Sequence, residues 1–182
     1  MGFIGRESYD IDRSLSVSFT GHRPGKLPWS SDGDERCAAF IKSLEAQIVR
    51  AYNEGARYFL SGMADGVDVY AAEAVLRLSY RLPEIRLVAV FPFGTGDSSR
   101  KRRIAARAHV CVSLHKAFVP YCYTDRNMFL VRHASRLICG YGGDASSGTA
   151  ATMRMAEREG IDIVVISTAL PAGAGGAGGA GV

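Results

Sequence analysis

Several short groups of residues in this chain carry chemistry in their type and spacing. Residues 136–149 read Arg-Leu-Ile-Cys-Gly-Tyr-Gly-Gly-Asp-Ala-Ser-Ser-Gly-Thr, an apolar run, then a loop of small residues, then a helical pattern. A helix opened by such a loop presents unpaired backbone N–H groups and the positive end of its dipole, which suits a phosphate. Gly148 permits close backbone approach, and Ser146, Ser147 and Thr149 offer hydroxyl donors. The same residues also describe a plain capped turn, and they match neither the P-loop nor the dinucleotide glycine pattern.

Gly21-His22-Arg23 follows the first long apolar run directly. Arg23 has the geometry for a bidentate bond to phosphate or carboxylate, and His22 can donate to the same ligand or move a proton. A His packed beneath a Pro-rich loop and an Arg on a surface acid are the plainer alternatives. Asp65 and Asp68 flank Gly66 where a second helix begins, with Glu73 one turn beyond. Carboxylates so placed serve acid–base work or hold ribose hydroxyls, or simply favour a helix N-terminus. Asp125-Arg126-Asn127 supplies an N-cap candidate in Asp125 and, in Arg126, a cation placed to reach toward the 140–149 loop.

The elements that must position these residues alternate. Apolar runs at 15–20, 58–61, 85–91, 110–114, 137–141 and 161–166 predict strands. Helical spacing fills the intervals from about 34 to 52, 67 to 78, 97 to 108, 127 to 135 and 149 to 159. Continuously apolar strands between helices predict an α/β, Rossmann-like doubly wound fold: a mainly parallel sheet of about six strands with helices on both faces. In such folds ligands bind beyond the C-terminal strand ends, and the loops 20–24, 61–68, 92–97 and 140–149 all fall on that edge. Residues 1–13 read as an N-terminal extension, 14–168 as one domain, and 169–182 as a disordered Gly/Ala-rich tail.

At 182 residues, 47% hydrophobic and 22% charged, the composition is that of an ordinary soluble domain, expected in the cytoplasm. No apolar run approaches ~18 residues, so no membrane span is expected. Cys37, Cys111, Cys122 and Cys139 lack CxxC spacing, so they read as reduced, Cys111 and Cys139 in core strands, and no metal site is expected. The formal charge of +4 owes much to Arg100-Lys101-Arg102-Arg103 with Arg107, which reads as a solvated helix face.

Phe19-Thr-Gly-His-Arg-Pro24 with Lys26-Leu-Pro28, Ser61-Gly-Met-Ala-Asp-Gly-Val-Asp68 with Ala71-Ala-Glu73, and Arg126-Asn127 before Ser147-Gly148-Thr149 together resemble the YpsA-like branch of the SLOG superfamily. The resemblance runs from about Val17 to Ile166. It implies a Rossmann-like fold shared with cytokinin-activating phosphoribohydrolases and with a DNA-processing protein. It also implies a nucleotide or nucleotide-derived ligand, with a homodimer as one arrangement of the relatives. On that basis the ligand-binding residues are Gly21, His22, Arg23, Gly62, Gly66, Asp68, Arg126, Asn127, Ser147, Gly148 and Thr149. The hydrolase branch carries Glu three residues after its Gly-Thr, where this chain has Thr152, and Asn127 replaces the Lys that follows its Arg. The resemblance therefore implies a ligand-binding module. The alternative is an N-glycosidic hydrolase of nucleoside monophosphates, with Asp65, Asp68, Glu73 or Arg126 as catalytic candidates. Nucleic acid on the basic cluster ranks third, because no aromatic interleaves it.

Overall fold

Runs that are apolar on both faces have to be covered on both faces, and the computed structural model, which describes residues 3–169, arranges them accordingly. Its strands are β1 (Phe3–Ile4), β2 (Ser16–Gly21), β3 (Tyr58–Ser61), β4 (Arg86–Phe93), β5 (Val110–His115), β6 (Arg136–Tyr141) and β7 (Asp162–Ser167). Its helices are α1 (Glu35–Asn53), α2 (Val67–Leu78), α3 (Ser99–Ala105), α4 (Cys122–Arg132) and α5 (Gly148–Arg158). All strands pair in parallel, in the order β1-β5-β4-β3-β2-β6-β7. The seventh strand is β1, a two-residue edge supplied by the N-terminal stretch. Residues 170–182 of the Gly/Ala-rich tail lie outside the described residues. No helix among those described is long and apolar enough to cross a membrane.

Neighbouring strand residues take opposite faces. Phe59, Leu87, Ala89 and Phe91 join the core beneath α1, α2 and α3, whereas Leu60, Val88 and Val90 join Phe129 and Leu130 of α4 on the other face. A third cluster, Val131, Leu137, Ala156 and Ile161, seats α5. The stripe Cys37, Phe40, Leu44 and Ile48 is buried along α1, whose N-terminus Asp34 caps by accepting from Arg36 N. Two helix starts differ from the sequence expectation. Helix α4 begins at Cys122, so Asp125 lies in its first turn and accepts from His115 Nε2 at 2.9 Å instead of capping. The cap of α5 is Ser147, not Thr149.

From β2 the chain adds β3 and β4, and then β5, on one side. It then crosses to lay β6 and β7 on the other side. The strand order thus reverses between β2 and β6, whose C-terminal ends Gly21 and Gly140 stand side by side. Helix α2 comes down onto this point. A Cβ on Gly21 would stand 2.5 Å from Val67 Cβ, and one on Gly140 would meet Val67 at 2.8 Å and Phe40 at 2.9 Å. Gly21 is therefore required by contact with Val67. Gly21→Ala should cost roughly 1–3 kcal/mol in chemical denaturation, as overpacking does. Adding Val67→Ala should recover part of that loss, a non-additivity expected only if the two side chains compete for one space.

Candidate anion-binding cleft

Three loop systems converge beyond the reversal point. Thr20 to Lys26 follows β2, Gly62 to Asp68 joins β3 to α2, and the 142–147 loop ends in α5, with α4 closing the open side. They enclose a cavity of about 420 Å³ lined by Gly21, His22, Arg23, Asp68, Arg126, Asn127, Ser147, Gly148 and Thr149 among others. Gly62 lines an adjoining cavity of about 260 Å³, which shares Arg23, Ala64, Tyr123 and Arg126 with the first. Gly66 lines neither. Its φ is +93°, and a Cβ there would strike the His22 carbonyl oxygen, so its part is to let the two loops touch.

At the α5 end, Ser147 Oγ accepts from Ala150 N at 3.2 Å and donates to the Asp144 carbonyl at 2.6 Å. Ser146 Oγ donates to Asp144 Oδ1 at 2.6 Å. Both serine hydroxyls are thus committed within the loop and are not free as ligand donors. Among the described residues, Gly148 N and Thr149 N have no internal acceptor, so two backbone donors of the helix terminus point at the cleft unpaired. No atom lies within 4 Å of a Cβ built on Gly148, and its φ is not positive; the space above it is open cleft.

His22 is buried, and its ring is held by the opposite loop. Gly142 N donates to Nε2 at 2.9 Å, so the imidazole proton sits on Nδ1, 3.4 Å from Thr149 Oγ1. Thr149 accepts there and keeps its own O–H to donate. Burial, reinforced by Lys26, pushes the His22 pKa down, so the ring is neutral and orients Thr149.

Asp68 and Arg126 are both buried, 5% and 6% exposed, and form an ion pair at 3.4 Å. Arg126 Nη1 also donates to the Gly62 carbonyl, and Nε donates to Asn127 Oδ1 at 2.8 Å. Ala64 N donates to Asp68 Oδ2 at 3.3 Å. Burial outweighs the cation and lifts the Asp68 carboxyl above the ordinary carboxylate range. The arginine retains Nη2, which has no acceptor among the described residues and is not enclosed. Lys26 is neutralised by Asp144 at 2.5 Å. Arg23 is exposed, lies 5.7 Å over the Tyr123 ring, and has no carboxylate partner among the described residues.

Two sequence expectations change. Glu73 does not line the cleft; it accepts a bidentate pair from Arg100 at 2.8 and 2.7 Å, and Arg100 also reaches Asp32. Lys101 is not on a solvated basic face. It is 6% exposed and bonds Asp65 at 3.1 Å and Asp97 at 2.9 Å in the wall of the smaller cavity. Only the Asp97–Lys101 spacing of four residues could have signalled that pairing. The lining residues missed outright were Phe93 of β4 and Tyr123 of α4.

Residues 17–169 match the model of the YspA SLOG family. The chain belongs to that family. The UPF0398 protein YpsA of Bacillus subtilis is 23% identical over 166 residues, covering 83% of this chain and 91% of that protein. A UPF0398 protein of Lysinibacillus sphaericus is 22% identical over 148 residues, covering 76% and 83%. Among solved structures, DNA processing protein A from Helicobacter pylori, which binds single-stranded DNA, matches with a TM-score of 0.58 at 19% identity. That match covers 84% of this chain but only 65% of the neighbour. At that identity the likeness speaks for the fold: this YspA SLOG family chain shares the Rossmann-like core.

A lowered His22 pKa makes the unfolded chain bind more protons than the folded one just below the ordinary value of 6.5. The stability that neutral His22 contributes is complete above that pH and is lost as pH falls below it. Melting temperature should therefore drop more in the wild type than in His22→Gln between about pH 7.5 and about pH 5.5. Parallel curves would exclude this role for His22.

Proposed function

We propose that this protein binds a nucleotide or nucleotide-derived ligand, with a phosphate seated at the N-terminus of α5. The observation that carries the reading is the coincidence of two unpaired backbone donors, Gly148 N and Thr149 N, with Arg23, a cation unneutralised among the described residues, at one cleft. Thr149 Oγ1 and the free Nη2 of Arg126 add donors on either side. The lining is otherwise charge-neutral pairs, so a single anion is what the cleft lacks.

Binding is favoured over turnover. Asp68 is held by Arg126 and Asp65 by Lys101, while Glu73 is away from the cleft. Thr152, standing where the hydrolase branch carries Glu, spends its hydroxyl on the Gly148 carbonyl at 3.0 Å. A second reading, single-stranded nucleic acid, draws on an exposed aromatic rim that the sequence did not reveal. Phe118, Tyr121 and Tyr123 are 59%, 58% and 43% exposed, Phe118 lies against Tyr123 and Arg23 lies over the Tyr123 ring, an arrangement on which bases stack.

A Cβ at Gly148 enters open space, so Gly148→Val should change melting temperature little and abolish the thermal shift given by adenosine monophosphate. Arg23→Ala should weaken calorimetric binding of the same probe by about 10-fold or more. Arg102→Ala, on the exposed face of α3, should change nothing. Retention of binding in the first two variants with loss in the third would move the site to the basic face. Oligonucleotide binding that falls steeply with salt and resists competition by the mononucleotide would favour the second reading.

A further inference from the structure

The smaller cavity has a different chemistry from the cleft it joins. It is lined by Phe91, Pro92, Phe93 and Met63, by the trio Asp65, Asp97 and Lys101, and by Arg23 and Arg126, which it shares with the cleft. Phe93 lies edge-on to Tyr123 at 6.4 Å and is braced by Phe118 at 5.7 Å, so a flat apolar wall faces the opening. The opposite wall is held in an uncommon conformation. Met63 has φ +56°, the one positive φ outside glycine among the described residues, fixed by Met63 N donating to Ser61 Oγ at 3.1 Å. Left-handed backbone at a non-glycine residue persists where surrounding structure imposes it, and it concentrates at ligand sites.

The charge around Lys101, away from the arginines shared with the cleft, argues against a second phosphate there. Lys101 carries one positive charge, and Asp65 and Asp97 at 3.1 and 2.9 Å carry two negative ones. Both carboxylates reach solvent, 56% and 77% exposed, so the trio presents net negative charge and free acceptor lone pairs. An anion placed there meets repulsion, whereas a flat uncharged ring with N–H donors is accommodated.

We infer that the cavity between Met63, Phe93 and the Lys101–Asp65–Asp97 trio is a base subsite, which makes the ligand a nucleoside monophosphate rather than a molecule with an anion at each end. The inference rests on the phosphate reading above. Phosphate occupies the α5 terminus, the pentose spans the shared strip at Ala64 and Tyr123, and the base enters beside Phe93 with its N–H edge toward the two carboxylates.

Calorimetric titration with ribose 5-phosphate, adenosine monophosphate and ribose 1,5-bisphosphate separates the parts. In the wild type the mononucleotide should bind about 10-fold or more tighter than ribose 5-phosphate. The bisphosphate, which puts an anion where the base would go, should bind more weakly than ribose 5-phosphate. Phe93→Ala should remove most of the mononucleotide's advantage while ribose 5-phosphate binding persists. Asp65→Asn with Asp97→Asn, which frees Lys101, should tighten the bisphosphate by about 10-fold. Equal affinity for the sugar phosphate and the mononucleotide, a bisphosphate that binds best in the wild type, or indifference to both variants would each overturn the base subsite with the phosphate site intact. Failure of all three probes to bind would overturn the phosphate reading and this inference with it.

Discussion

The buried pair of Asp68 and Arg126 is the interaction on which the cleft depends. It ties the first turn of α2 to the first turns of α4 across the end of β3, with both charges almost wholly removed from water. Such a pair is tolerable only when the remaining donors and acceptors are also satisfied. Here Gly62 O, Asn127 Oδ1 and Ala64 N satisfy the enclosed groups, and only Arg126 Nη2, open to the cleft, is left over. The backbone geometry is part of the same constraint. A Cβ on Gly62 would fall 2.5 Å from Arg126 Nη1 and 2.8 Å from Asp68 Oδ2, so the guanidinium can reach the loop only because that residue is glycine.

Charge cancellation then sorts a basic composition into a selective one. Lys26 is matched by Asp144, Arg126 by Asp68, Lys101 by Asp65 and Asp97, and Arg100 by Glu73 and Asp32. What remains at the cleft is Arg23, backed by the dipole and free N–H groups of α5. The basic run at 100–107 thus loses its first two charges to internal pairs, leaving Arg102, Arg103 and Arg107 on the surface. The aromatic side chains follow the same logic of assembly. Phe93 from β4 is remote in the chain from Phe118, in the loop after β5, and Tyr123 of α4, yet the three form one rim.

The sequence by itself determined the fold class and the sheet edge on which the candidate cleft lies. Continuous apolar runs such as Arg86–Phe93 need cover on both faces, and alternation with helical periods leaves few arrangements other than a parallel doubly wound sheet. The loops at 20–24, 61–68 and 140–149 are local signals, and so is Gly148-Thr149 at a helix start. Pairing and burial were decided only by tertiary structure, because they depend on residues remote in the chain. Nothing local distinguishes Lys101 from Arg102, but one faces Asp65 and the other faces water. Nothing local says that His22 is oriented by Gly142 or that Glu73 is claimed by Arg100. Side-chain type can be read from sequence, but whether a donor or charge is still free is known only once its neighbours are in place.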